Sequence, residues 1–394
     1  MQITKSERPH IAFLGCTNSG KSSLVNAFTN QNLSIVSDIK GTTTDAVSKS
    51  MEILPLGPVV IIDTAGINDE GKIGELRIQK TKEVLNKTDF AVLVIDTAIG
   101  ASEEDINLIK EFNERKIPYI IAFNKIDIIT PEQKTEFATK AKENEIFVSA
   151  KTGEGINNIK EKLAQLINLN HQEKFIIKDK INKGDIILLV IPIDESAPKG
   201  RLILPQQNVL REILDAHATA ICVQPEELKD ILEKITPKFI ITDSQVFNKI
   251  KDVVPKDIIL TSFSILMANY KGELNQLMEG VKTLSTLKDG DKVLISEGCT
   301  HHRQCNDIGT VKMPKWVKEF SKKEIEFEFT QGGEFPQDLS KYALIIHCGG
   351  CMLNETEMKN RQIKAKQQNI KMVNYGMAIA YMNGIFERSL EIFE

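Results

Sequence analysis

The segment G-C-T-N-S-G-K-S near the N-terminus has the residue types and the spacing of a phosphate-binding loop. It follows a strand-like apolar run and precedes a helix-like S-S-L-V-N-A-F, which is the context that such a loop requires. Gly15 and Gly20 permit a tight turn whose backbone N–H groups point at phosphate oxygens. Lys21 would place a charge on the β- and γ-phosphates, and Ser22 would give a hydroxyl to Mg²⁺. The motif therefore predicts a site for a nucleoside triphosphate with magnesium.

Two further segments suit the γ-phosphate end of such a site. Asp63 closes the apolar run V-V-I-I, where its carboxylate can hold Mg²⁺ through water. In the same D-T-A-G segment, the N–H of Gly66 can approach a γ-phosphate. Thr43 lies beside Thr42 in the loop G-T-T-T-D and can bind Mg²⁺ when the γ-phosphate is present. These residues extend the predicted magnesium and phosphate site.

Two strand ends carry groups that select a guanine base. Asp127 in N-K-I-D can accept hydrogen bonds from both N1–H and the exocyclic amine of guanine, whereas adenine offers no such pair of donors. Ala150 in S-A-K has a backbone N–H that can reach the guanine carbonyl. The nucleotide-binding residues predicted from the five motifs are Gly15, Asn18, Ser19, Gly20, Lys21, Ser22, Ser23, Thr42, Thr43, Asp63, Gly66, Asn124, Lys125, Asp127, Ser149, Ala150 and Lys151.

The five motifs in this order resemble the translation-factor-like GTPases, and within them the TrmE–Era group, over residues 8–168. Many GTPases carry a glutamine just after D-x-x-G that orients the attacking water, but here that residue is Ile67. The resemblance implies that Asn18 helps to hold K⁺, which takes the role of an arginine finger. We therefore expect slow GTP hydrolysis that K⁺ stimulates, with Lys21, Asn18, Thr43 and Gly66 as the catalytic residues.

A second group of reactive residues lies in the last hundred residues of the chain. C-T-H-H follows the strand-like K-V-L-I-S-E-G, and H-C-G-G-C follows A-L-I-I, so both groups would reach one rim if these strands are neighbours. The residue types allow a zinc site, a redox dithiol at Cys348 and Cys351, or an iron–sulfur cluster that also uses Cys299. Composition alone leaves zinc and iron–sulfur about equally favoured.

A GTPase of this type followed by C-T-H-H and H-C-G-G-C resembles the iron–iron hydrogenase maturation GTPases, the HydF family, over the whole chain. The resemblance implies that Cys299, Cys348 and Cys351 hold a 4Fe–4S cluster with an exchangeable fourth site. The candidates for the fourth ligand are His301, His302, His347 and Asp307; Cys305 could compete with them, although its more ordinary role is a free thiol. The resemblance also implies a scaffold that receives a precursor of the di-iron subcluster from partner radical enzymes and delivers it to the apo-hydrogenase.

The elements that would position these residues alternate between short apolar runs and amphipathic stretches. This alternation predicts an α/β protein, with a P-loop GTPase domain followed by two further α/β domains with mainly parallel sheets. We expect the GTPase domain at residues 1–170, a dimerisation domain at 171–270 and an iron–sulfur cluster-binding domain at 271–394. The dimerisation of the middle domain, and hence a homodimer, is implied by the resemblance alone.

Composition limits the classes of partner. The 394 residues carry a net charge of -4 and include only eight arginines, which argues against a surface that coats nucleic acid. No apolar run approaches ~18 residues, and the N-terminus lacks an apolar signal core, so we expect a cytoplasmic protein without a membrane partner. The alternative function is a ribosome- or tRNA-linked GTPase with a structural zinc in its C-terminal domain.

Overall fold

The computed structural model describes residues 4–31, 47–64, 80–170, 173–193, 202–299 and 307–394. The chain forms two compact units, Met1–Gln172 and Glu173–Glu394. Three parallel or mainly parallel sheets with intervening helices make up the described part, which confirms the predicted α/β class. Among the described residues, no helix is both long and apolar enough to cross a bilayer.

The first unit contains a six-stranded sheet in the order β2-β3-β1-β4-β5-β6. Its strands are β1 (His10–Leu14), β2 (Val47–Ile53), β3 (Gly57–Asp63), β4 (Phe90–Asp96), β5 (Tyr119–Asn124) and β6 (Glu145–Phe147). The β2–β3 pair is antiparallel and the other pairs are parallel. Along β1, Ile11 and Phe13 pack into one core and Ala12 and Leu14 into another, because both faces of this sheet are covered.

The helices of the first unit with defined bounds are α1 (Lys21–Thr29), α2 (Glu103–Arg115), α3 (Pro131–Lys140) and α4 (Ile156–Asn170), and residues 80–85 are also helical. Local signals explain where they begin. Ser102 caps α2 by accepting a hydrogen bond from the N–H of Asp105, and Thr130 caps α3, whose first residue is Pro131. These caps satisfy N–H groups that the first helical turn leaves without partners.

The second unit contains two four-stranded parallel sheets, in the orders β10-β9-β7-β8 and β12-β11-β13-β14. The strands are β7 (Ile186–Val190), β8 (Thr219–Val223), β9 (Phe239–Thr242), β10 (Ile259–Ser262), β11 (Lys292–Glu297), β12 (Glu326–Gln331), β13 (Leu344–His347) and β14 (Lys371–Asn374). In the second of these sheets, the chain runs from β11 outward to β12 and then returns to β13 on the other side of β11. The order therefore reverses between β11 and β13.

The α-helices of the second unit are α5 (Leu204–Asp215), α6 (Leu228–Leu232), α7 (Phe247–Ile250), α8 (Phe263–Lys271), α9 (Leu274–Val281), α10 (Met313–Ser321), α11 (Glu355–Gln367) and α12 (Tyr375–Met382); a π-helix spans Ile308–Lys312. One hydrophobic core joins Leu188 of β7 to Leu294 of β11, so the two sheets share buried side chains. The expected division near residue 270, between α8 and α9, stays a prediction.

Candidate functional site

The phosphate-binding loop runs from the end of β1 to the start of α1. Gly15 and Gly20 have positive φ angles of 149° and 83°. A Cβ on Gly15 would lie 2.3 Å from the carbonyl oxygen of Val94, and one on Gly20 would lie 2.3 Å from Nδ2 of Asn124. Both positions therefore require glycine, because the loop packs against β4 and β5 with no room for a side chain.

Lys21 and Ser22 begin α1 and face the end of β3. The Lys21 ammonium is buried and lies 3.6 Å from Oδ1 of Asp63, and the Ser22 hydroxyl donates to Oδ2 of Asp63 at 3.5 Å. Because the N-terminus of a helix attracts anions, α1 adds a partial positive charge to the same place. A cation, a hydroxyl and a carboxylate thus meet at one point, which suits a phosphate group that carries Mg²⁺.

Asn124 at the end of β5 joins three of the predicted motifs. Its side chain is buried; Nδ2 donates to the carbonyl of Ser19 at 3.0 Å, and Oδ1 accepts from the N–H of Ala150 at 3.0 Å. The Ala150 N–H, which we expected to meet a guanine carbonyl, is therefore bonded to Asn124 in this structure. The phosphate loop and the S-A-K segment are held together through one amide side chain.

Asp127 lies beside Ser149, as a guanine-selecting carboxylate requires. The Ser149 hydroxyl donates to Oδ1 of Asp127 at 2.7 Å, and this bond lowers the pKa of the Asp127 carboxyl from its usual value. The carboxylate is therefore ionised at neutral pH and can accept hydrogen bonds. Lys151, the last residue of S-A-K, is exposed and contributes to the same lowering of the pKa.

Lys125 bridges the base side and the phosphate side of the site. Its ammonium donates to the carbonyl of Asn18 at 2.7 Å and to Oδ2 of Asp96 at 2.7 Å. Asn18 has a φ of 65° and is exposed, and Ser23 in the first turn of α1 is exposed as well. The loop around Asn18 is consequently fixed through its backbone, which leaves the amide side chain at the surface.

Several of the predicted site residues are not among those that the structure describes. Thr42, Thr43, Gly66 and Ile67 lie outside the described residues, as do His301, His302 and Cys305. Their assignments stay predictions. The described part of the nucleotide site is formed by the loop 15–23, by Asp63 and by the two guanine-side segments.

The cysteine groups follow two neighbouring parallel strands. Ser296 of β11 pairs with His347 of β13, so Cys299 and Cys348 both lie just past the carboxyl ends of adjacent strands. The order of the sheet reverses between these two strands, and ligands of open α/β sheets bind at such a point. The structure thus brings together the strand ends that carry the two groups of cysteines.

Backbone N–H groups converge on the sulfur of Cys348. Gly298 and Gly350 donate to this sulfur at N···S distances of 3.0 and 3.4 Å. Gly350 has a φ of 63°, and a Cβ there would lie 2.6 Å from the sulfur of Met358. Such N–H···S bonds stabilise negative charge on a thiolate or on a metal-bound sulfur.

The thiols are protonated in the metal-free chain. Burial raises the pKa of the Cys348 thiol to about 11, and burial also raises the pKa of the Cys351 thiol. In the described ranges, no three Cys, His, Asp or Glu side chains are gathered closely enough to hold a metal ion. A bound metal would displace the thiol protons, because the thiolate is the form that binds.

His347 uses both of its ring nitrogens inside the protein. Nδ1 lies 2.8 Å from the Cys348 carbonyl, and Nε2 lies 3.0 Å from the guanidinium of Arg361. Burial and the charge of Arg361 lower the pKa of His347 to about 3, so the ring is neutral. Both ring nitrogens are thus engaged with neighbouring groups of the protein, and the assignment of His347 as a candidate fourth ligand stays a prediction.

Three buried polar side chains lie near the same strand ends: Glu297, Asp307 and Tyr375. Asp307 caps the N-terminus of the π-helix and accepts hydrogen bonds from both the N–H and the hydroxyl of Thr310 at 2.8 Å. A Cβ on Gly309 would lie 2.5 Å from Oε1 of Glu297 and 2.5 Å from the Tyr375 hydroxyl. Within the described part of the chain, the Tyr375 hydroxyl is buried without a hydrogen-bond partner.

The donor set and its surroundings fit a metal–sulfur centre. Two cysteines sit on a tight glycine turn, a third follows the adjacent strand, and N–H groups already point at sulfur. The orphaned Tyr375 hydroxyl also fits a site completed by a further group, since buried hydroxyls rarely lack partners.

Three known protein families match separate regions of the chain. Residues 10–125 match the 50S ribosome-binding GTPase family, residues 176–272 match the hydrogen maturase F dimerization domain, and residues 275–392 match the hydrogen maturase F tetramerization domain. The two hydrogen maturase F matches together span more than half of the chain. The chain belongs to the hydrogen maturase F family. Its first unit is a P-loop GTPase domain.

Two curated relatives that are similar to this chain are GTPases. GTPase Der from Lachnospira eligens is 38% identical over 178 residues, which is 42% of this chain and 40% of Der. The tRNA modification GTPase MnmE from Acetivibrio thermocellus is 28% identical over 232 residues, which is 57% of this chain and 50% of MnmE. The chain thus spans between two fifths and half of the length of these relatives.

A solved structure of Era from Aquifex aeolicus is also similar. The likeness covers 55% of this chain and 93% of that chain, with 19% identity and a TM-score of 0.36.

Sequence reasoning missed the buried charged and polar residues that surround the cysteine loop. Arg361 is 3% exposed and donates to Glu357, to the carbonyl of Gly332 and to Ser296. Lys271 is 2% exposed. A sequence signal existed for Lys271, because it is the one charged residue in the segment F-S-I-L-M-A-N-Y-K.

Proposed function

We propose that this chain is a GTPase and a 4Fe–4S scaffold that accepts a precursor of the di-iron subcluster and delivers it to apo iron–iron hydrogenase. The observation that carries the proposal is that Cys299 and Cys348 follow the carboxyl ends of adjacent parallel strands at the point where the sheet order reverses, with Cys351 on the same glycine turn as Cys348, in a chain of the hydrogen maturase F family. Partner radical enzymes would make the precursor.

Three thiolates would hold the centre, and one coordination position would remain for an exchangeable ligand. An iron–sulfur cluster bound in this way supplies a metal site that can accept and release a further group. An O or N ligand suits that position better than a fourth thiolate, because it exchanges more readily. Asp307 offers oxygen atoms near the strand ends, and His301 and His302 follow Cys299 directly in sequence, whereas His347 is engaged elsewhere.

GTP with Mg²⁺ would occupy the site in the first unit. Lys21 would bind the β- and γ-phosphates, Ser22 and Thr43 would bind Mg²⁺, and Asp127 would select guanine. The contacts of the Asp63 carboxylate with the Lys21 ammonium and the Ser22 hydroxyl support this arrangement. GDP would remain bound through the same phosphate loop after hydrolysis.

Oligomerisation belongs to the same proposal. The two matched regions of the second unit are named for dimerization and tetramerization. We propose a homodimer formed through residues 171–270. Light scattering at micromolar concentration should therefore give at least twice the mass of one chain, and a monomer would contradict it.

Transfer to a hydrogenase tests the proposed function directly. The chain is reconstituted with iron and sulfide, incubated anaerobically with the partner radical enzymes and their substrates, reisolated, and mixed with apo-hydrogenase. Hydrogen evolution should appear with the reisolated chain and be absent with a chain that never met the partners. Equal activity in both samples, or in neither while the hydrogenase activates by another route, would contradict the proposed role.

We expect GTP hydrolysis to depend on potassium. Ile67 cannot position water, and the sequence has no arginine among residues 32–45, so charge on the transferring phosphoryl group needs another cation. Replacing KCl with NaCl at equal ionic strength should slow turnover by about 100-fold, the lower end of the range for loss of one such stabilising group.

The variant Asn18→Ala should turn over slowly in both salts. Asn30→Ala is its matched control, because Asn30 is also an exposed asparagine with a positive φ, of 53°, but caps the far end of α1. Equal rates of GTP hydrolysis by the wild type in KCl and in NaCl would contradict the predicted dependence on potassium.

A further inference from the structure

A lysine is buried at the end of helix α8, beside the cysteine loop. Lys271 is 2% exposed, and it is the one charged residue of a helix that lies in the region matched to the dimerization domain. Burying an ammonium group costs free energy unless its N–H groups find acceptors. Methionine would fill the same space without that cost. The hydrogen bonds of the ammonium group therefore indicate what a lysine does at this position.

The ammonium binds the backbone of the loop that carries Cys348 and Cys351. Nζ donates to the carbonyl oxygens of Leu353 at 2.6 Å, Cys351 at 3.0 Å and Gly350 at 3.3 Å. The acceptors are 79 to 82 residues away in sequence and lie in the other matched region. One side chain therefore gathers three carbonyl groups of the cysteine loop around a positive charge.

These contacts determine which way the neighbouring peptide N–H groups face. In a trans peptide, the carbonyl of one residue and the N–H of the next point in opposite directions. Because the carbonyls of Gly350 and Cys351 turn toward Lys271, the amides of Cys351 and Met352 turn away from it. Gly350, one of the residues whose carbonyl Lys271 binds, donates its own N–H to the Cys348 sulfur at an N···S distance of 3.4 Å.

We propose that Lys271 is a positioning residue for the iron–sulfur centre: it orients the cysteine loop so that its N–H groups face sulfur, and its charge raises the reduction potential of the bound cluster. Hydrogen bonds to sulfur and the net charge around a cluster are the two means by which a protein sets that potential. The inference rests on the proposed iron–sulfur function and adds a residue that sets the reduction potential of the cluster.

The test compares Lys271→Met with wild type after anaerobic reconstitution, by a redox titration followed with electron paramagnetic resonance. We expect Lys271→Met to hold iron but to be harder to reduce, with the ratio of reduced to oxidised cluster at a fixed potential about tenfold lower, which corresponds to about 59 mV for one electron. Lys271→Arg keeps a positive charge and N–H donors, so it should restore most of the wild-type potential.

Lys251→Met is the matched control. Lys251 is a half-buried lysine of the same unit, and it donates to the carbonyl of Asn383 rather than to the cysteine loop. Its variant should titrate as wild type does. Where Lys271→Met fails to fold, Lys271→Gln serves in its place, because the amide keeps N–H donors without the charge and should also lower the potential.

Two outcomes overturn the inference separately from the proposed function. A wild-type chain that holds no cluster after reconstitution contradicts the proposed function, and the role of Lys271 falls with it. A wild-type chain that holds a cluster, with Lys271→Met and Lys271→Gln titrating at the same potential as Lys251→Met, contradicts the role of Lys271 alone.

Discussion

Replacing Cys348 with serine should remove most of the iron from the reconstituted protein and abolish hydrogenase activation. Cys348 is the cysteine at which the neighbouring strand and the glycine turn both direct N–H groups toward sulfur. Loss of partners that only support a metal ligand costs about 10–100-fold in affinity, so loss of the ligand itself should cost more. Iron content and visible absorbance measure the result, and Cys299→Ser and Cys351→Ser should behave in the same way.

The matched controls are other cysteines of the same chain. Cys222 is exposed on β8, so Cys222→Ser should keep the full iron content. Cys305→Ser should also keep it, because the proposed centre uses three thiolates and leaves one position for an exchangeable ligand. Full iron content in Cys348→Ser would contradict the cysteine assignment, and loss of the cluster in Cys305→Ser would mean that the fourth position is held by a thiolate.

Asp127→Asn should change the nucleotide that the protein prefers. The carboxylate accepts two hydrogen bonds from guanine in the proposed complex, and the asparagine amide would set a donor against one of the guanine donors. Hydrogen bonds to a charged group are each worth about 1.5–3 kcal/mol, so GTP affinity should fall by about 100-fold. Xanthosine triphosphate should gain affinity, because it carries a carbonyl in place of the amine.

Glu154→Gln controls for the loss of one negative charge. Glu154 lies in the same unit and forms an exposed ion pair with Lys134 at 3.2 Å, so its variant should bind GTP as wild type does. Competition of the two nucleotides against a fluorescent GTP analogue gives both affinities in one experiment. An Asp127→Asn variant that keeps the wild-type preference for GTP would show that another group reads the base.

The nucleotide site could be predicted because its residues lie in short motifs at strand ends. Gly15, Lys21 and Ser22 lie in one short segment of the chain. The strands that carry Asp63 and Asn124 are apolar runs that are buried on both faces of the sheet. Motif and apolar pattern are both local properties of the chain. The joining of Asn124 to Ser19 and Ala150 is not local, and it emerged only from the folded chain.

Two edge strands carry little of the apolar pattern by which a buried strand is predicted. The strand β2 reads V-S-K-S-M-E-I and lies at the antiparallel edge of its sheet, where a polar pattern resembles that of a loop. The strand β14 has only four residues, K-M-V-N. Both lie at sheet edges, and neither carries a residue of the candidate sites.

The surroundings of the cysteines were the least predictable part. The adjacency of β11 and β13 was stated as a condition, and the sheet order meets it. Lys271 and Arg361 escaped prediction because lysine and arginine are usually exposed, and their partners lie far away in sequence. His347 was predicted as a possible ligand from its position beside Cys348, whereas its ring is engaged with Arg361 and the backbone.

The metal content of the protein tests the account most directly. The chain is purified without oxygen, reconstituted with iron and sulfide in the presence of an equal amount of zinc, and freed of loosely bound metal. We predict about four irons with matching sulfide per chain, as a 4Fe–4S cluster requires, together with broad visible absorbance that is lost in Cys348→Ser and kept in Cys222→Ser. A colourless protein with about one tightly bound zinc per chain would contradict the iron–sulfur scaffold and favour a GTPase with a structural zinc domain.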